Sequence, residues 1–548
     1  MRIVITPILT LLLALTVGCT KGSQASSEEV SYLQTRVETV EVPKFVLNDP
    51  DSRKLWDSTK QVYTLRQFQP AFVTDTTTQS DVDVVLRTLS NAASEGLNPE
   101  DYALSQLRSR RASLETANST ARNDFELQMT YALTRYVSQL CFGRIDPKKI
   151  KSEWPEAQNE CDVPHLVNEA LDQNSVETLA ERLAPPVPEY QALKAGLQKY
   201  RDIAASGGWH SLPLPIKKTG KKPGNRVEPA GPAVLAQNLS LMGDLESPIG
   251  DQPVSKESLK EALSRFQSRH GLNPNGVLDK ETIKAMNVPV EERIAQMETN
   301  LDRMRWIGHR LEDEHIRVNI PGFHLAVHEG DQVPLEMRVI VGTKDNRTPL
   351  LDSTIVNVVF SPYWNIPLSI ATKEMLPQIR KDPSFLRNQE MEVVRISGGK
   401  VQTVDPDSID WNSSGGGYQL RQRPGASNAL GLVKFLFPNP YNVYLHDTPS
   451  DNLFDRLTRT LSHGCVRIEK PTMLASYLLR GQPEWTDAKI DEAMHASKER
   501  YVALKTKVPI HLIYWTAWGD SDGKVQFRDD VYGYDEIHRQ AVSPPLGV

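Results

Sequence analysis

The sequence predicts an α+β chain of several domains, helical in its first half and mostly β from about residue 315. Three observations carry this. At 548 residues the chain exceeds what one hydrophobic core serves, so about three or four domains are expected. Apolar residues recur at helical spacing through the segments before residue 300. Beyond 315 the period falls to two, with Pro-Gly and Glu-Gly-Asp breaks between the alternating runs, as hairpins require.

The elements follow in order. Ile3 to Val17 is an apolar run behind Arg2 that ends at Gly18-Cys19. It is shorter than the roughly 20 residues a spanning helix needs, and it suits a secretory signal. The polar stretch to about residue 40 reads as a tether, and the segment to about 215 as mostly helical. There Asp124 is placed to cap a helix carrying Phe125, Met129, Ala132, Leu133, Tyr136, Val137 and Leu140 on one stripe, stopped by Gly143 and Pro147. Trp56, Tyr63 and Trp154 read as core. A Pro/Gly-rich break from Lys221 to Pro232 starts a new unit, in which Ser255 caps a helix over 256–270 and Asp279 a shorter one ending at Met286.

The β region begins with Ile316/Val318/Ile320, Phe323/Leu325/Val327 and Val333/Leu335/Met337/Val339. Further strands are expected at 354–360, 441–446 and 508–517. Between Pro367 and Gln419 lies an insertion with helical pieces and a flexible Ser413-Ser414-Gly415-Gly416-Gly417 stretch.

Composition excludes some classes. The formal net charge is −6, from 63 basic and 69 acidic residues, and no basic face points to nucleic acid. The run Lys217-Lys218 to Lys221-Lys222 lies among Gly and Pro and reads as a solvated linker. Of four cysteines, Cys141 and Cys161 stand twenty apart in an exported chain, where a disulfide is permitted but spacing alone leaves it open. No C-x-x-C pair or His ladder suggests a metal.

The chemistry-bearing segment is His446 to Arg467, HDTPSDNLFDRLTRTLSHGCVR. Cys465 sits in Ser462-His463-Gly464-Cys465, nineteen residues after His446. A thiol is a nucleophile only as thiolate, and an imidazole can take its proton. Alternation along 441–446 places Val443 and Leu445 on one face, with Tyr444 and His446 on the other, toward a cleft. The main-chain N–H groups of Gly464 and Cys465 are the expected oxyanion donors.

SHGCVR with an upstream HDT resembles the signature of L,D-transpeptidases, the cysteine enzymes that cross-link bacterial peptidoglycan. Phe360-Ser361-Pro362-Tyr363-Trp364-Asn365-Ile366-Pro367, Arg421-Gln422-Arg423-Pro424-Gly425 and Lys434-Phe435-Leu436-Phe437-Pro438-Asn439 resemble the large periplasmic branch of that family. Glu95-Gly96-Leu97-Asn98-Pro99 and Gly143-Arg144-Ile145-Asp146-Pro147 are similar to its N-terminal scaffold. The order Phe266-Gln267, His270-Gly271-Leu272, Asn275-Gly276, Leu278-Asp279 resembles a small three-helix peptidoglycan-binding domain. Gly18-Cys19 resembles a lipoprotein cleavage site, with Cys19 as the lipidated residue.

The resemblance implies a signal peptide (1–19), a tether (20–40), a helical scaffold (41–222) and a peptidoglycan-binding-like unit (223–290). A mostly-β catalytic domain (300–520), with a capping insertion at about 370–418, and a C-terminal tail (521–548) complete it. Cys465 is implied as nucleophile and His446 as base, oriented by a main-chain carbonyl near His446, with the Asp447 side chain a secondary alternative. His463 and Ser462 assist or orient, Arg467 holds a substrate carboxylate, and Tyr444, Trp364 and Asn365 line the pocket. Expected partners are peptidoglycan stem peptides, a membrane through the lipid anchor and other cell-wall synthases, with no cofactor and no nucleic acid. The place is the bacterial envelope, facing the periplasm.

The implied reaction breaks the bond between the third, diamino acid residue and D-Ala of a tetrapeptide stem, forms a thioester, and ends in a 3→3 cross-link. Water as acceptor would make the same site an L,D-carboxypeptidase, and a lipoprotein's lysine would make it a wall-anchoring transpeptidase.

Overall fold

The computed structural model describes residues 25–39, 42–73, 81–151, 154, 160–213, 231–246, 254–307, 311–382, 384–398, 400–412 and 417–542. Cys19, the lysine-rich linker and Gly415-Gly416 lie outside these. No helix among the described residues is long and apolar enough to cross a membrane.

The first unit is helical and built around Ser119–Phe142, which is buried on nearly every side. Asn118, not Asp124, caps this helix, its Oδ1 accepting the Ala121 N–H at 2.9 Å. Asp124 falls inside the first turns because the exposed run Ser119 to Ala121 already has helical backbone, which an apolar pattern does not reveal. Gly143 ends it with φ of 78°. Trp56, Tyr63 and Trp154 are all buried. Cys141 and Cys161 are joined in a disulfide that ties the end of this helix to the start of Val163–Asp172.

A three-helix unit follows: Pro232–Leu241, Lys256–Arg269 and Lys280–Met286. Ser255 Oγ accepts the Ser258 N–H at 3.0 Å and Asp279 Oδ1 that of Thr282 at 2.8 Å, closing both helix starts as the sequence suggests. Leu239, Leu263, Phe266 and Met286 fill its core.

The long helix Val290–Ile307 connects these units to the β domain. Its Asp302 is fully buried and binds Arg144 of the helical unit (2.6 Å), Arg305 of its own helix (2.9 Å) and His538 near the C-terminus (3.0 Å). One carboxylate thus joins three parts of the chain.

The β domain has strands β1 (Glu314–Asn319), β2 (His324–Glu329), β3 (Gln332–Gly342), β4 (Leu351–Phe360), β5 (Trp364–Asn365), β6 (Met391–Ser397), β7 (Lys400–Val404), β8 (Tyr418–Gln422), β9 (Val433–Leu436), β10 (Leu445–His446), β11 (Thr460–Ser462), β12 (Val466–Ile468), β13 (Arg500–Ile513), β14 (Ala517–Gly519) and β15 (Val525–Phe527). The main sheet runs β11-β3-β12-β10-β9-β4-β13-β1-β2, and β2 pairs again with β3, so it closes on itself. Alternate residues of these strands, such as Val318, Leu325, Val339, Val508 and Ile510, meet inside with no exposed surface.

Three expectations change. The strand expected at 441–446 shortens to Leu445–His446, because Asn442 adopts φ of 55° and the chain turns there. Beside the expected helical pieces the insertion carries strands that were not expected: β5, β8, β6 and β7 form a separate four-stranded sheet, with short helical turns packed around Ile366, Ile379, Val393 and Leu420. The segment expected as a C-terminal tail is folded as far as it is described, to residue 542, since β15 pairs with β14 and helix Tyr534–Ala541 buries Tyr534, Asp535 and His538.

Candidate active site

The site forms where three short strands end together. β10 pairs in parallel with β12, Leu445 opposite Val466 and His446 opposite Arg467, and the Val466 N–H donates to Tyr444 O at 3.1 Å. Cys465, one residue before β12, is thereby held beside the turn 442–444 that leads to His446. Its Sγ lies 3.9 Å from Asn442 O.

The loop carrying Cys465 is fixed from below. β11 pairs with the end of β3, and Thr343 N–H donates to Ser462 O at 2.9 Å. Thr348, fully buried, accepts the Gly342 N–H and donates to Gly464 O, both at 2.8 Å. Tyr532, from the supposed tail, donates to Gly342 O at 2.7 Å and accepts the Thr348 N–H at 3.2 Å. Sequence reasoning missed Thr348 and Tyr532, because their role is a contact across more than a hundred residues of chain. Gly464 adopts φ of 114°, a backbone region that disfavours any side chain.

Ser462 Oγ accepts the Gly464 N–H at 3.1 Å and donates to Cys465 O at 2.5 Å. The Gly464 N–H is therefore occupied inside the loop and is not presented to an oxyanion, contrary to expectation. A hydroxyl two residues upstream reaches it before the cleft does.

His446 is buried and its Nδ1 donates to Asp447 O at 2.6 Å, which leaves Nε2 as the basic nitrogen. The Asp447 carboxylate does not orient the imidazole. It accepts the N–H groups of Leu432 and Thr448, each at 2.7 Å, and so clamps β9's entrance to the turn after β10. The secondary reading of Asp447 as a side-chain triad member is thereby overturned.

Burial is the first electrostatic influence on the pair. It pushes the Cys465 thiol up, against the Tyr444 N–H and hydroxyl and the Arg467 guanidinium, which pull it down. Burial and then Arg467 hold the His446 imidazole down at about 3. Burial thus disfavours the charged form of both the Cys465 thiol and the His446 imidazole.

These groups line a cleft of about 910 Å³ between the barrel and the inserted sheet. Trp364, Asn365, Tyr444, His446, His463, Cys465 and Arg467 all face it, as does Ser462. The buried Nε of Arg467 makes no hydrogen bond among the described residues, and Cys465 is the acidic group acting on this guanidinium. Within the cleft His463 Nε2 meets Glu374 Oε1 of the insertion at 2.8 Å. Glu374 was not anticipated, since nothing local distinguishes it from other exposed glutamates.

Residues 313–509 match the family described as L,D-transpeptidase catalytic domain. The chain carries an L,D-transpeptidase catalytic domain. Ahead of it, residues 57–197 match a scaffold domain and residues 235–286 a family described as "Putative peptidoglycan binding domain". A protein of Haemophilus influenzae named "Putative L,D-transpeptidase" is 37% identical over 283 residues, covering 50% of this chain and 55% of that protein. The chain therefore spans about half the length of this curated relative. Matrix metalloproteinase-21 of Cynops pyrrhogaster is 31% identical over 105 residues, 19% of this chain and 17% of that protein.

Proposed function

We propose that this chain is a peptidoglycan L,D-transpeptidase with Cys465 as nucleophile and His446 as general base. The observation that carries the reading is the pairing of β10 with β12, which brings His446, its Nδ1 tied to Asp447 O, and Cys465 into one cleft. Cys465 Sγ attacks the carbonyl between the diamino acid and D-Ala of a tetrapeptide stem while His446 Nε2 takes its proton. The developing oxyanion is met by the Cys465 N–H, since that of Gly464 is occupied. His446 returns the proton to the D-Ala amine, which leaves, and a thioester remains. The amine of a second stem then attacks, His446 Nε2 takes its proton, and the sulfur departs with that proton as the thiol, giving the 3→3 cross-link. Arg467 holds a carboxylate of the donor stem through its guanidinium, whose buried Nε has no partner among the described residues. Tyr444, Trp364 and Asn365 line the channel along which the stem lies.

The protein works in the bacterial envelope facing the periplasm, held to a membrane by lipid on Cys19, where other cell-wall synthases are within reach. Intact mass of membrane-extracted protein tests that anchor: an unmodified terminus sinks it. The catalytic reading is tested on tetrapeptide muropeptides by mass spectrometry. Cys465→Ala is expected to abolish dimers and carbapenem acylation, and His446→Ala to slow both by roughly two to four decades. Undiminished dimers from the Cys465 variant would overturn the assignment.

A further inference from the structure

The cleft has two charged poles of opposite sign. Among its described lining residues, Arg467 is the guanidinium and Glu374 the one carboxylate. They belong to different structural units. Arg467 stands on barrel strand β12, beside the nucleophile and base. Glu374 is delivered by the insertion, on a single π turn, Ala371–Met375, between Leu368–Ile370 and Leu376–Lys381. Such turns are rare and frequently stand at functional sites.

Glu374 is paired with His463, two residues before Cys465, yet the pair is half-exposed, with side-chain accessibilities of 49% and 44%. A side-chain contact of this exposure is weak and exchanges partners easily. That is a poor lock for a lid but a suitable resting place for a carboxylate that must give itself up to an incoming cation.

We infer that Glu374 is the acceptor-side specificity residue, binding the ammonium group of the second substrate and so favouring an amine over water as the group that resolves the thioester. The inference rests on the transpeptidase reading and extends it to the second substrate. Donor and acceptor present opposite charges to the cleft. The donor brings a carboxylate for Arg467, and the acceptor brings an ammonium for which Glu374 is the counterion. In the transfer the bound ammonium loses one proton to solvent and becomes the nucleophile. It attacks the thioester carbonyl, its second proton passes through His446, and that proton leaves with Cys465 Sγ as the thiol. Glu374 forms no bond and keeps its charge throughout. Water, which carries no cation, gains nothing from it.

The test separates the two substrates, using a tetrapeptide muropeptide as donor and a tripeptide muropeptide, which has no D-Ala to lose, as titrated acceptor. Glu374→Gln is expected to raise the acceptor KM roughly tenfold or more, the loss of one charged contact. Dimer should fall and hydrolysed tripeptide rise, while donor KM and the carbapenem acylation rate of Cys465 stay at wild-type values. Glu374→Asp should recover most of the acceptor affinity. An unchanged acceptor KM in Glu374→Gln, with dimers still formed, overturns this inference alone. Equal loss of carbapenem acylation also overturns it, by showing that the carboxylate only props the Cys465 loop. A wild-type protein that yields tripeptide and no dimer overturns the transpeptidase reading itself, and this inference with it.

Discussion

At the scale of single residues, the candidate site depends on small groups that keep Cys465 and His446 in place. Gly431 illustrates this. It has φ of 63°, and a Cβ built there would lie 2.3 Å from Cγ and Oδ2 of Asp447. The Asp447 carboxylate is the clamp between Leu432 and Thr448, and its own main-chain oxygen orients His446. Gly431→Ala therefore both strains the backbone and displaces the clamp. The expected outcome is a loss of about 1–3 kcal/mol in stability, the scale of backbone strain at such a position. Carbapenem acylation of Cys465 should slow more than the stability loss explains. Chemical denaturation and acylation kinetics on the same preparation check this, and wild-type acylation in a destabilised variant would show that the clamp does not reach the base. Cys465 and His446, the proposed nucleophile and base, stand out in the chain because a cysteine in Ser-His-Gly-Cys and a histidine after a strand-like run are local patterns. Their supports do not. Thr348 and Tyr532 act through contacts with Gly342 and Gly464, which no spacing announces.

At the scale of elements, helix ends and barrel strands could be read, while the insertion could not. Ser255, Asp279 and Gly143 mark helix ends through hydrogen bonds or dihedrals that depend only on near neighbours. The barrel strands alternate because one face is buried throughout. β7 is exposed along almost its whole length and β6 over its second half, so neither carries an apolar period. The inserted sheet has its own core, and its ends meet in the β5–β8 ladder, where the Ile366 N–H donates to Leu420 O at 2.9 Å. A short Gly/Ser linker can therefore replace the residues beyond that ladder with little loop-closure cost. With one wall of the cleft removed, water gains access to the thioester, and the product is expected to shift from dimer toward tripeptide while Cys465 still reacts with a carbapenem. A trimmed, folded protein with the wild-type product ratio would show that the sheet plays no part in partition.

At the scale of the whole molecule, buried charge joins the units and sets how acid affects them. Burial alone would raise the Asp302 carboxyl, but Arg144, His538 and Arg305 hold it far below the usual range. Its contribution is lost only in strong acid. His538 responds first: burial holds it down to about 4, although Asp302 pulls it up. A base whose pKa is lower in the fold than in the unfolded chain, about 6.5, stabilises the fold above 6.5 and loses that contribution as pH falls toward 4. Burial lowers His270, His315 and His328 as well, which adds to the same trend. His511 opposes it, since Asp352 and Glu312 raise its pKa despite burial and its contribution fades as pH rises. With more groups lowered than raised, the melting temperature is expected to fall between pH 7 and pH 5. His538→Gln should lower it at pH 7, by losing the contact with Asp302, and flatten the fall below. A His538→Gln profile parallel to wild type would place the acid sensitivity elsewhere than at the Asp302 junction.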